Sequence, residues 1–200
     1  MSSTIDFYFD FTSPYAYLMS EKIDALAACF DRSVIWRPFL LGVAFQASGA
    51  APFSAQSPKA PYLLRDFDRS ARFLGVPYIL PANFPLATQN AARAYYWLQD
   101  RDAQQARAFA HAVFRAFFVS GRDISAIGEI VALAAEQGAD GEALAAALTA
   151  PALKERLKAE CVAAIANGVF GAPYVIIDGE PFFGVDRLPQ IERWLSRGGF

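Results

Sequence analysis

The sequence predicts an α/β fold in which a four-stranded mixed sheet is flanked by helices and interrupted by an all-helical insertion. Two observations predict it: strand patterns occur only near the two ends of the chain, and helical patterns fill the region between them. In chain order the elements run β-α-β, then a helical block, then α-β-β-α. We therefore expect residues 1–41 and 151–200 to form the sheet domain and residues 42–150 to form a helical insertion domain.

The first half of the sheet begins near residue 5. Apolar and polar residues alternate over Ile5–Asp10, which is the period of a strand with one buried face. The sequence Thr12–Pro14 then predicts a helix start, because proline suits the first helical position. A helix from Pro14 to about Phe30 and a short strand at Ser33–Arg37 complete a unit whose two strands are parallel.

The central block is predicted to be almost entirely helical, with two loops. Leu41–Pro61 is rich in Gly, Ala, Ser and Pro, and Val76–Pro85 carries three prolines. The second loop also carries apolar side chains that would be unusual on a solvated surface, so we expect them to line a pocket: Tyr78, Ile79, Leu80 and Phe84. The predicted helices are Pro61–Leu74, Thr88–Gln99, Ala103–Val119, Ala126–Gln137 and Glu142–Leu148, with Ser125 and Asp140 as N-caps.

The last fifty residues return to strand patterns. A helix at Ala152–Asn167 leads to an apolar strand at Tyr174–Ile177. Asp178-Gly179 follows it, and this pair between apolar runs predicts a hairpin whose second strand is Pro181–Phe183. A closing helix is predicted from about Arg187 to Ser196, with Asp186 as its N-cap.

Composition excludes several classes of function. The formal net charge is −2 over 200 residues, with no block of like charges, so we expect no nucleic-acid partner. No apolar run approaches the roughly 18 residues of a membrane span. The chain starts directly with a strand pattern and shows no secretory signal, so we expect a cytoplasmic location. Eighteen phenylalanines indicate a large aromatic core or an aromatic-lined pocket.

Few residues have the spacing of a reactive cluster. Cys29 and Cys161 form no C-x-x-C pair, which argues against a disulfide oxidoreductase, and we interpret both as small buried residues. The single histidine, His111, has no partners at metal-ligand spacing, so no metal site is predicted. A serine-histidine-aspartate triad is disfavoured because Ser13 lacks the G-x-S-x-G setting.

Ser13 has two interpretations. In the first interpretation Ser13, the residue before Pro14 at a strand-to-helix junction, caps the helix and has no further role. The same position lies beside backbone N–H groups at the positive end of a helix dipole, where thiolates and other anions are stabilised.

Four motifs, in order along nearly the whole chain, resemble those of one family. They are F-D-F-T-S-P-Y-A-Y (Phe9–Tyr17), R-P-F-L-L-G (Arg37–Gly42), G-V-F-G-A-P (Gly168–Pro173) and F-F-G-V-D-R-L (Phe182–Leu188). The chain resembles the 2-hydroxychromene-2-carboxylate isomerases, relatives of the kappa-class glutathione transferases. The resemblance implies a thioredoxin-like fold with a DsbA-like helical insertion, glutathione as cofactor and a homodimer.

The resemblance also implies roles for particular residues. Ser13 would be catalytic and would hydrogen-bond the glutathione sulfur. The Ala172-Pro173 bond would be cis, with the backbone of Ala172 pairing with the cysteinyl part of glutathione. Lys59 is loosely placed at the glycine carboxylate; the alternative is a solvated lysine. The residues implied for the γ-glutamyl end are Phe183, Gly184, Val185 and Asp186, of which Asp186 can also be an ordinary cap.

The implied activity is the glutathione-dependent isomerisation of 2-hydroxychromene-2-carboxylate, a small aromatic acid, to trans-o-hydroxybenzylidenepyruvate. Three positions depart from the family pattern: Gln46 and Ala50 replace a lysine and an asparagine, and Phe183 stands where tryptophan is usual. These departures affect the expected substrate and glutathione affinity. Two alternatives therefore stay open: a kappa-like glutathione transferase or peroxidase, and a thiol-binding relative without catalysis.

Overall fold

The computed structural model describes residues 4–200. Met1–Ser3, the first three residues of the predicted sheet domain, lie outside the described residues. The sheet has the strand order β2-β1-β3-β4. β1 pairs with β2 in parallel and with β3 antiparallel, and β3 pairs antiparallel with β4, as the sequence predicts. The strands are β1 (Thr4–Phe9), β2 (Ser33–Pro38), β3 (Tyr174–Ile177) and β4 (Glu180–Phe183).

Helices account for most of the remaining regular structure. They are α1 (Pro14–Ser20), α2 (Ile23–Ala28), α3 (Leu41–Ser48), α4 (Ala60–Leu74), α5 (Gln89–Gln99), α6 (Ala103–Phe118), α7 (Ile127–Glu136), α8 (Gly141–Thr149), α9 (Pro151–Ala166) and α10 (Leu188–Arg197). The predicted α/β class, with helices between the two halves of the sheet, is confirmed.

The β3–β4 hairpin turns at the predicted dipeptide. Asp178 has φ 52° and Gly179 has φ 89°, so both central residues lie in the left-handed region. A two-residue turn of this kind matches the right-handed twist of the flanking strands and favours Asn, Asp and Gly. The turn therefore fixes the register in which Tyr174 faces Phe183.

The predicted helix from Pro14 to Phe30 is wrong in one respect, since the structure divides it into α1 and α2. The Ser20 hydroxyl donates to the carbonyl oxygen of Tyr17 at 2.6 Å, a contact that bends helices. Glu21 follows and is drawn towards α6, where Arg115 donates to its carboxylate at 2.6 Å. The helical path restarts after Lys22.

The prediction of an irregular loop over Leu41–Pro61 is wrong for its first third, which forms α3. Gly49, with φ 72°, ends this helix in the left-handed conformation. Local composition hides the helix because Leu40, at its N-cap position, makes no side-chain capping bond.

Two of the four predicted N-caps, Ser125 and Asp186, are also wrong. Asp140 does cap α8, accepting from the N–H of Ala143 at 3.0 Å. Ser125 instead donates its hydroxyl to Asp123, and Ala126 occupies the N-cap position of α7. Asp186 lies inside a short 3₁₀ helix (Val185–Arg187) that postpones the start of α10, so it cannot cap that helix.

One face of β1 forms the centre of the core. Ile5, Phe7 and Phe9 are fully buried there. The rings of Phe7 and Phe9 meet Trp36 edge-on, at centroid distances of 5.2 and 5.4 Å. Phe114 of α6 covers the same face, with its ring centroid 5.5 Å from that of Phe9.

Two tyrosines tie the helical block to the sheet. The Tyr95 hydroxyl donates to the carbonyl oxygen of Trp36 at 3.2 Å, and the Tyr96 hydroxyl donates to that of Pro38 at 2.6 Å. α5 therefore rests directly on β2. The division into a sheet domain and an insertion domain at residues 42 and 150 stays a prediction.

The cysteines are free and differ from the prediction in one case. Cys161 is buried, but Cys29 is exposed because it lies just beyond the last residue of α2. Over residues 4–200, no cluster of His, Cys, Asp and Glu could hold a metal ion. Within the same range, no helix combines the length and the hydropathy that crossing a membrane requires.

Candidate active site

Ser13 lies at the junction of β1 and α1, where its hydroxyl has two partners. The N–H of Ala16 donates to Oγ at 3.2 Å, so Ser13 caps α1 as predicted. Its hydroxyl donates in turn to the carbonyl oxygen of Ala172, 159 residues further along the chain, at 3.1 Å. The side chain is nearly buried, at 5 % exposure. This bond brings the two halves of the sheet domain together at one hydroxyl.

The partner segment contains the predicted cis peptide. The Ala172-Pro173 bond is cis, and a second cis bond, not predicted, joins Phe84 and Pro85. The N–H of Gly184 donates to the carbonyl oxygen of Pro173 at 3.0 Å. The Ser13 hydroxyl therefore links the start of α1 to the cis-proline segment, and a backbone bond links that segment to the residue after β4.

Phe183 folds over this segment. Its ring lies 4.7 Å, centroid to centroid, from that of Phe170, and both rings are about half exposed at 47 %. A Cβ at Gly171 would lie 2.5 Å from Cε2 of Phe183, so only glycine leaves room for the ring. The missing side chain at Gly171 thus allows Phe183 to reach the neighbourhood of Ser13.

Two cavities meet at this junction. The first, which we call the apolar cavity, has a volume of about 830 Å³. Among the described residues that line it, only Asp10 and Lys59 carry charge. Its walls come from the segment after β1, from α3 and the loop after it, and from α4 and the segment before α5. The aromatic residues of these walls are Tyr15, Phe45, Phe53, Phe67, Phe84 and Phe183.

The second, which we call the polar cavity, has a volume of about 610 Å³. Its lining residues are Tyr15, Tyr62, Asp66, Ser70, Ala172, Phe183, Gly184, Val185, Asp186 and Arg187. Tyr15 and Phe183 line both cavities and so form the boundary between them.

The structure gathers most of the predicted site residues around this boundary. Ser13 and Lys59 line the apolar cavity, Phe183 lines both cavities, and Ala172 lines the polar cavity together with Gly184, Val185 and Asp186. Pro173 lines neither cavity and contributes through its carbonyl oxygen.

The positions that depart from the family pattern lie differently. Ala50 lines the apolar cavity, whereas Gln46 is exposed on α3 and lines neither cavity. Of the loop residues predicted to line a pocket, Phe84 does so, while Tyr78 packs its ring against Phe118. Ile79 and Leu80 also lie outside both cavities.

Tyr15 and Asp66 form a contact that the sequence analysis missed. The Tyr15 hydroxyl donates to Oδ2 of Asp66 on α4, and nothing in the sequence around Tyr15 indicates this partner. Burial, together with this bond to a carboxylate, raises the pKa of Tyr15. Burial opposes ionisation of Asp66, yet the bonds from Tyr15 and Arg69 hold its pKa below the usual range. The polar cavity thus contains an ionised carboxylate at Asp66.

Asp10 is the second residue that the sequence analysis missed, because it stands on the polar face of a predicted strand. It is 3 % exposed, and its burial raises the pKa of the carboxyl although three hydrogen bonds act in the opposite direction. Its position three residues before Ser13 is the signal that could have drawn attention to it.

Comparison with known proteins identifies the family. The family model for the DSBA-like thioredoxin domain matches residues 4–196. A 2-hydroxychromene-2-carboxylate isomerase from Sphingobium xenophagum is 34 % identical over 197 residues, which cover 98 % of this chain and 99 % of that protein. The chain belongs to the 2-hydroxychromene-2-carboxylate isomerase family of DsbA-like thioredoxin proteins.

Two further relatives are consistent with this family. The solved structure of a 2-hydroxychromene-2-carboxylate isomerase matches with a TM-score of 0.87 and 30 % identity, covering 98 % of this chain and 95 % of that one. A kappa-class glutathione transferase from Caenorhabditis elegans is 26 % identical, over 96 % of this chain and 91 % of its own. The predicted family, fold and class of enzyme are confirmed.

Proposed function

We propose that this protein is a glutathione-dependent isomerase that converts 2-hydroxychromene-2-carboxylate to trans-o-hydroxybenzylidenepyruvate. The observation that carries the proposal is the 3.1 Å hydrogen bond between Ser13 Oγ and the carbonyl oxygen of Ala172, at the junction of an apolar and a polar cavity. One hydroxyl is thereby within reach of ligands in either cavity. The sequence similarity to isomerases of this name supports the choice of reaction.

The residues around the junction fit glutathione. Its ammonium group would meet the carboxylates of Asp66 and Asp186 in the polar cavity. Its backbone amide would replace the Ser13 hydroxyl as the donor to the Ala172 carbonyl. Lys59, in the wall of the apolar cavity, would pair with the glycine carboxylate.

Ser13 would act by changing its hydrogen-bond partner. Without a ligand its single hydroxyl hydrogen points to Ala172, and once another donor takes that carbonyl the hydrogen is released towards the sulfur. The N–H of Ala16 still donates to Oγ, which keeps the oxygen in place at the positive end of α1. A donor held in this way favours a thiolate, and each unit of lowered thiol pKa corresponds to about 1.4 kcal/mol.

The cofactor and the protein would share the chemistry. When bound, glutathione supplies a thiol whose reversible addition to the substrate's double bond permits rotation and returns the thiol unconsumed. The chain contributes orientation and exclusion of water. Phe45, Phe67 and Phe84 offer aromatic walls that suit an aryl acid and keep water from the reacting bond.

A kappa-like glutathione transferase is the second candidate, and the similarity to the Caenorhabditis elegans protein favours it. Both reactions would use the same thiol and the same Ser13. They differ in whether glutathione appears in the product.

The test is absorbance-monitored conversion of 2-hydroxychromene-2-carboxylate by the purified protein, with and without reduced glutathione, alongside titration of free thiol. We expect conversion that requires glutathione and leaves the thiol concentration unchanged. Consumption of thiol with electrophilic substrates, without isomerisation, would support the transferase instead. Glutathione binding without either reaction would indicate a non-catalytic relative.

A further inference from the structure

The carboxylate of Asp10 accepts hydrogen bonds from three separate segments of the chain. The N–H of Thr12 donates to Oδ1 at 3.0 Å, and the Thr88 hydroxyl donates to the same oxygen at 2.6 Å. The N–H of Leu41 donates to Oδ2 at 2.8 Å. The main chain of Asp10 takes part as well, since its carbonyl oxygen accepts from the N–H of Ser13 at 2.9 Å.

Two helices of the central block depend on this carboxylate at their first turns. The residue at the N-cap position of α3 is Leu40, which has no capping side chain, and Asp10 accepts the N–H of the first helical residue, Leu41. α5 has Thr88 at its N-cap position, yet Thr88 makes no capping bond to its own helix and gives its hydroxyl to Asp10. Asp10 thus supplies from a distance the cap that α3 lacks, and it holds the start of α5 through the hydroxyl of Thr88 rather than through a backbone N–H.

All the groups that meet at Asp10 belong to the walls of the apolar cavity. Asp10, Thr12, Ser13, Leu41 and Thr88 each line it. Thr12 makes one further link, because its Oγ1 accepts the N–H of Leu86, another lining residue, at 3.4 Å. The same hydrogen-bond set that holds the walls of α3 and α5 therefore also holds the backbone before Ser13.

We propose that Asp10 is a positioning residue, whose carboxylate sets the walls formed by α3 and α5 at a fixed distance from the Ser13 hydroxyl. The proposal rests on the proposed function for its catalytic readout. Asp10 itself acts through the groups it holds, rather than by touching the reacting atoms. A displacement of about 1 Å between a substrate and a catalytic group can cost about a hundredfold in rate.

This role predicts a particular pattern of kinetic change. The groups proposed to hold the γ-glutamyl and cysteinyl parts of glutathione are Asp66, Asp186 and Ala172, none of which contacts the Asp10 carboxylate. Loss of the Asp10 carboxylate should therefore change the position of the aryl acid relative to the Ser13 hydroxyl. The affinity for glutathione should stay largely unchanged. A merely structural residue would affect both ligands alike.

The first test is Asp10→Asn, which keeps the shape but offers one acceptor oxygen in place of two. Whichever way the amide turns, the N–H of Leu41 or that of Thr12 faces an NH₂ group. We expect kcat for the chromene carboxylate to fall at least tenfold, with the Kd for glutathione changed less than threefold. The control is Leu148→Ala, a buried truncation on α8 that lines neither cavity.

Thr88 gives a milder test should Asp10→Asn fold poorly. Thr88→Val removes one of the three hydrogen bonds and should lower kcat about threefold, whereas Thr88→Ser, which retains the hydroxyl, should recover most of that loss. In the double variant the losses of Asp10→Asn and Thr88→Val should not add, because both remove the same contact.

Amide hydrogen exchange tests the contact without any assay of turnover. In Asp10→Asn the exchange of the Leu41 and Thr12 N–H groups should accelerate more than in Leu148→Ala. If the wild-type protein failed to isomerise the substrate, the proposed function would fall and this measurement would still decide the role of Asp10. Unchanged exchange at both amides, or a loss of kcat no larger than in Leu148→Ala, would overturn the proposal.

Discussion

The two cavities near Ser13 differ in the polarity of the residues that line them. The apolar cavity is lined by aromatic and aliphatic side chains, with one lysine at its rim and one buried carboxylate. The polar cavity is lined by two further carboxylates, an arginine and backbone groups of the cis-proline segment. Burying a charge in an apolar site is costly and burying an aryl ring there is favourable, so under the proposed function we expect the aryl group in the apolar cavity and the ammonium group of glutathione in the polar one.

The two cavities also differ in the regions of the chain that form their walls. The polar cavity is built largely around the cis-proline segment and the end of β4, which carry backbone donors and acceptors in fixed positions. The apolar cavity takes most of its walls from α3, α4 and the loops beside them. Ser13 lies between β1 and α1, where it lines the apolar cavity and bonds to Ala172 in the wall of the polar cavity.

The largest effect is expected for Ser13→Ala, which removes the hydroxyl that lines the apolar cavity and bonds to Ala172 in the wall of the polar cavity. Turnover should fall about a hundredfold, the scale seen when one preorganised donor to developing charge is removed. The measurement is kcat under saturating glutathione. Ser20→Ala, which removes another buried hydroxyl on the same helix but outside both cavities, should retain normal turnover. A fully active Ser13→Ala would contradict the assigned role.

Glu21, behind α1, should affect stability and neither cavity. Burial opposes its ionisation, but the hydrogen bonds from Arg115 and the nearby ring of His111, 3.4 Å away, lower its pKa from 4.5 to about 2. Because the folded pKa is the lower one, this stabilisation is complete above about pH 4.5 and is lost as the pH falls towards 2. Glu21→Gln should cost about 2 kcal/mol at pH 7, after allowance for solvent screening of Arg115.

The measurement for Glu21→Gln is denaturant unfolding at pH 7 and pH 3, with the difference from wild type smaller at pH 3. The matched control is Glu155→Gln, since Glu155 pairs with Lys158 at 3.8 Å on an exposed surface. Such a pair contributes under about 0.5 kcal/mol. An equal loss at both pH values would show that the ionised carboxylate is not the cause.

A negative charge placed on an aromatic wall of the apolar cavity should weaken binding of the aromatic acid. Phe45→Glu puts a carboxylate on a cavity wall, and like-charge repulsion should raise the KM for the chromene carboxylate about tenfold. Val43→Glu is the control, because Val43 is a half-buried residue of α3 that does not line either cavity. Equal KM values for the two variants would remove the apolar cavity from the substrate site.

Removing a carboxylate from the polar cavity should weaken the binding of glutathione and leave the binding of the aromatic acid unchanged. Asp186→Asn removes one carboxylate, whose Oδ2 lies 2.5 Å from Arg187, and should weaken glutathione about fivefold with no change in KM for the aromatic acid. Isothermal titration would measure the Kd. Asp68→Asn, an exposed position on α4 outside both cavities, should bind normally. A Kd equal to that of wild type would exclude Asp186 from the glutathione site.

The smallest effect concerns the exchange of partners at Ser13. S-methylglutathione cannot offer a thiolate, so in the wild-type protein it must displace the Ser13 hydroxyl from Ala172 without compensation. Ser13→Ala should therefore bind S-methylglutathione as tightly as wild type or up to about threefold more tightly, a difference under about 1 kcal/mol. Weaker binding in the variant would argue against this exchange.

Much of the fold could be predicted because its signals are local. The alternation over Ile5–Asp10, the proline at the start of α1 and the Asp178-Gly179 turn each restrict the backbone within a few residues. Those three features define the parallel pair and the hairpin. The helical block is likewise marked by apolar periodicity and by glycines at helix ends.

The errors occur where a distant group replaces a local signal. α3 was predicted as loop because its start has no capping residue, and the cap comes from Asp10, thirty-one residues earlier. The break after Ser20 depends partly on Arg115 in α6, which binds Glu21. Neither partner can be located from the sequence near the helix itself.

The sequence by itself determined the order of the elements, the sheet and the family, because each depends on short-range patterns and on motifs that stay in register along the chain. Only the tertiary structure decided that Ser13 bonds to Ala172, that Tyr15 bonds to Asp66, and that three segments converge on Asp10. Apart from the local bond that Thr12 gives to Asp10, these contacts join residues 31 to 159 positions apart. Their formation depends on the packing of the central helices against the sheet, which places the two cavities on either side of Tyr15 and Phe183.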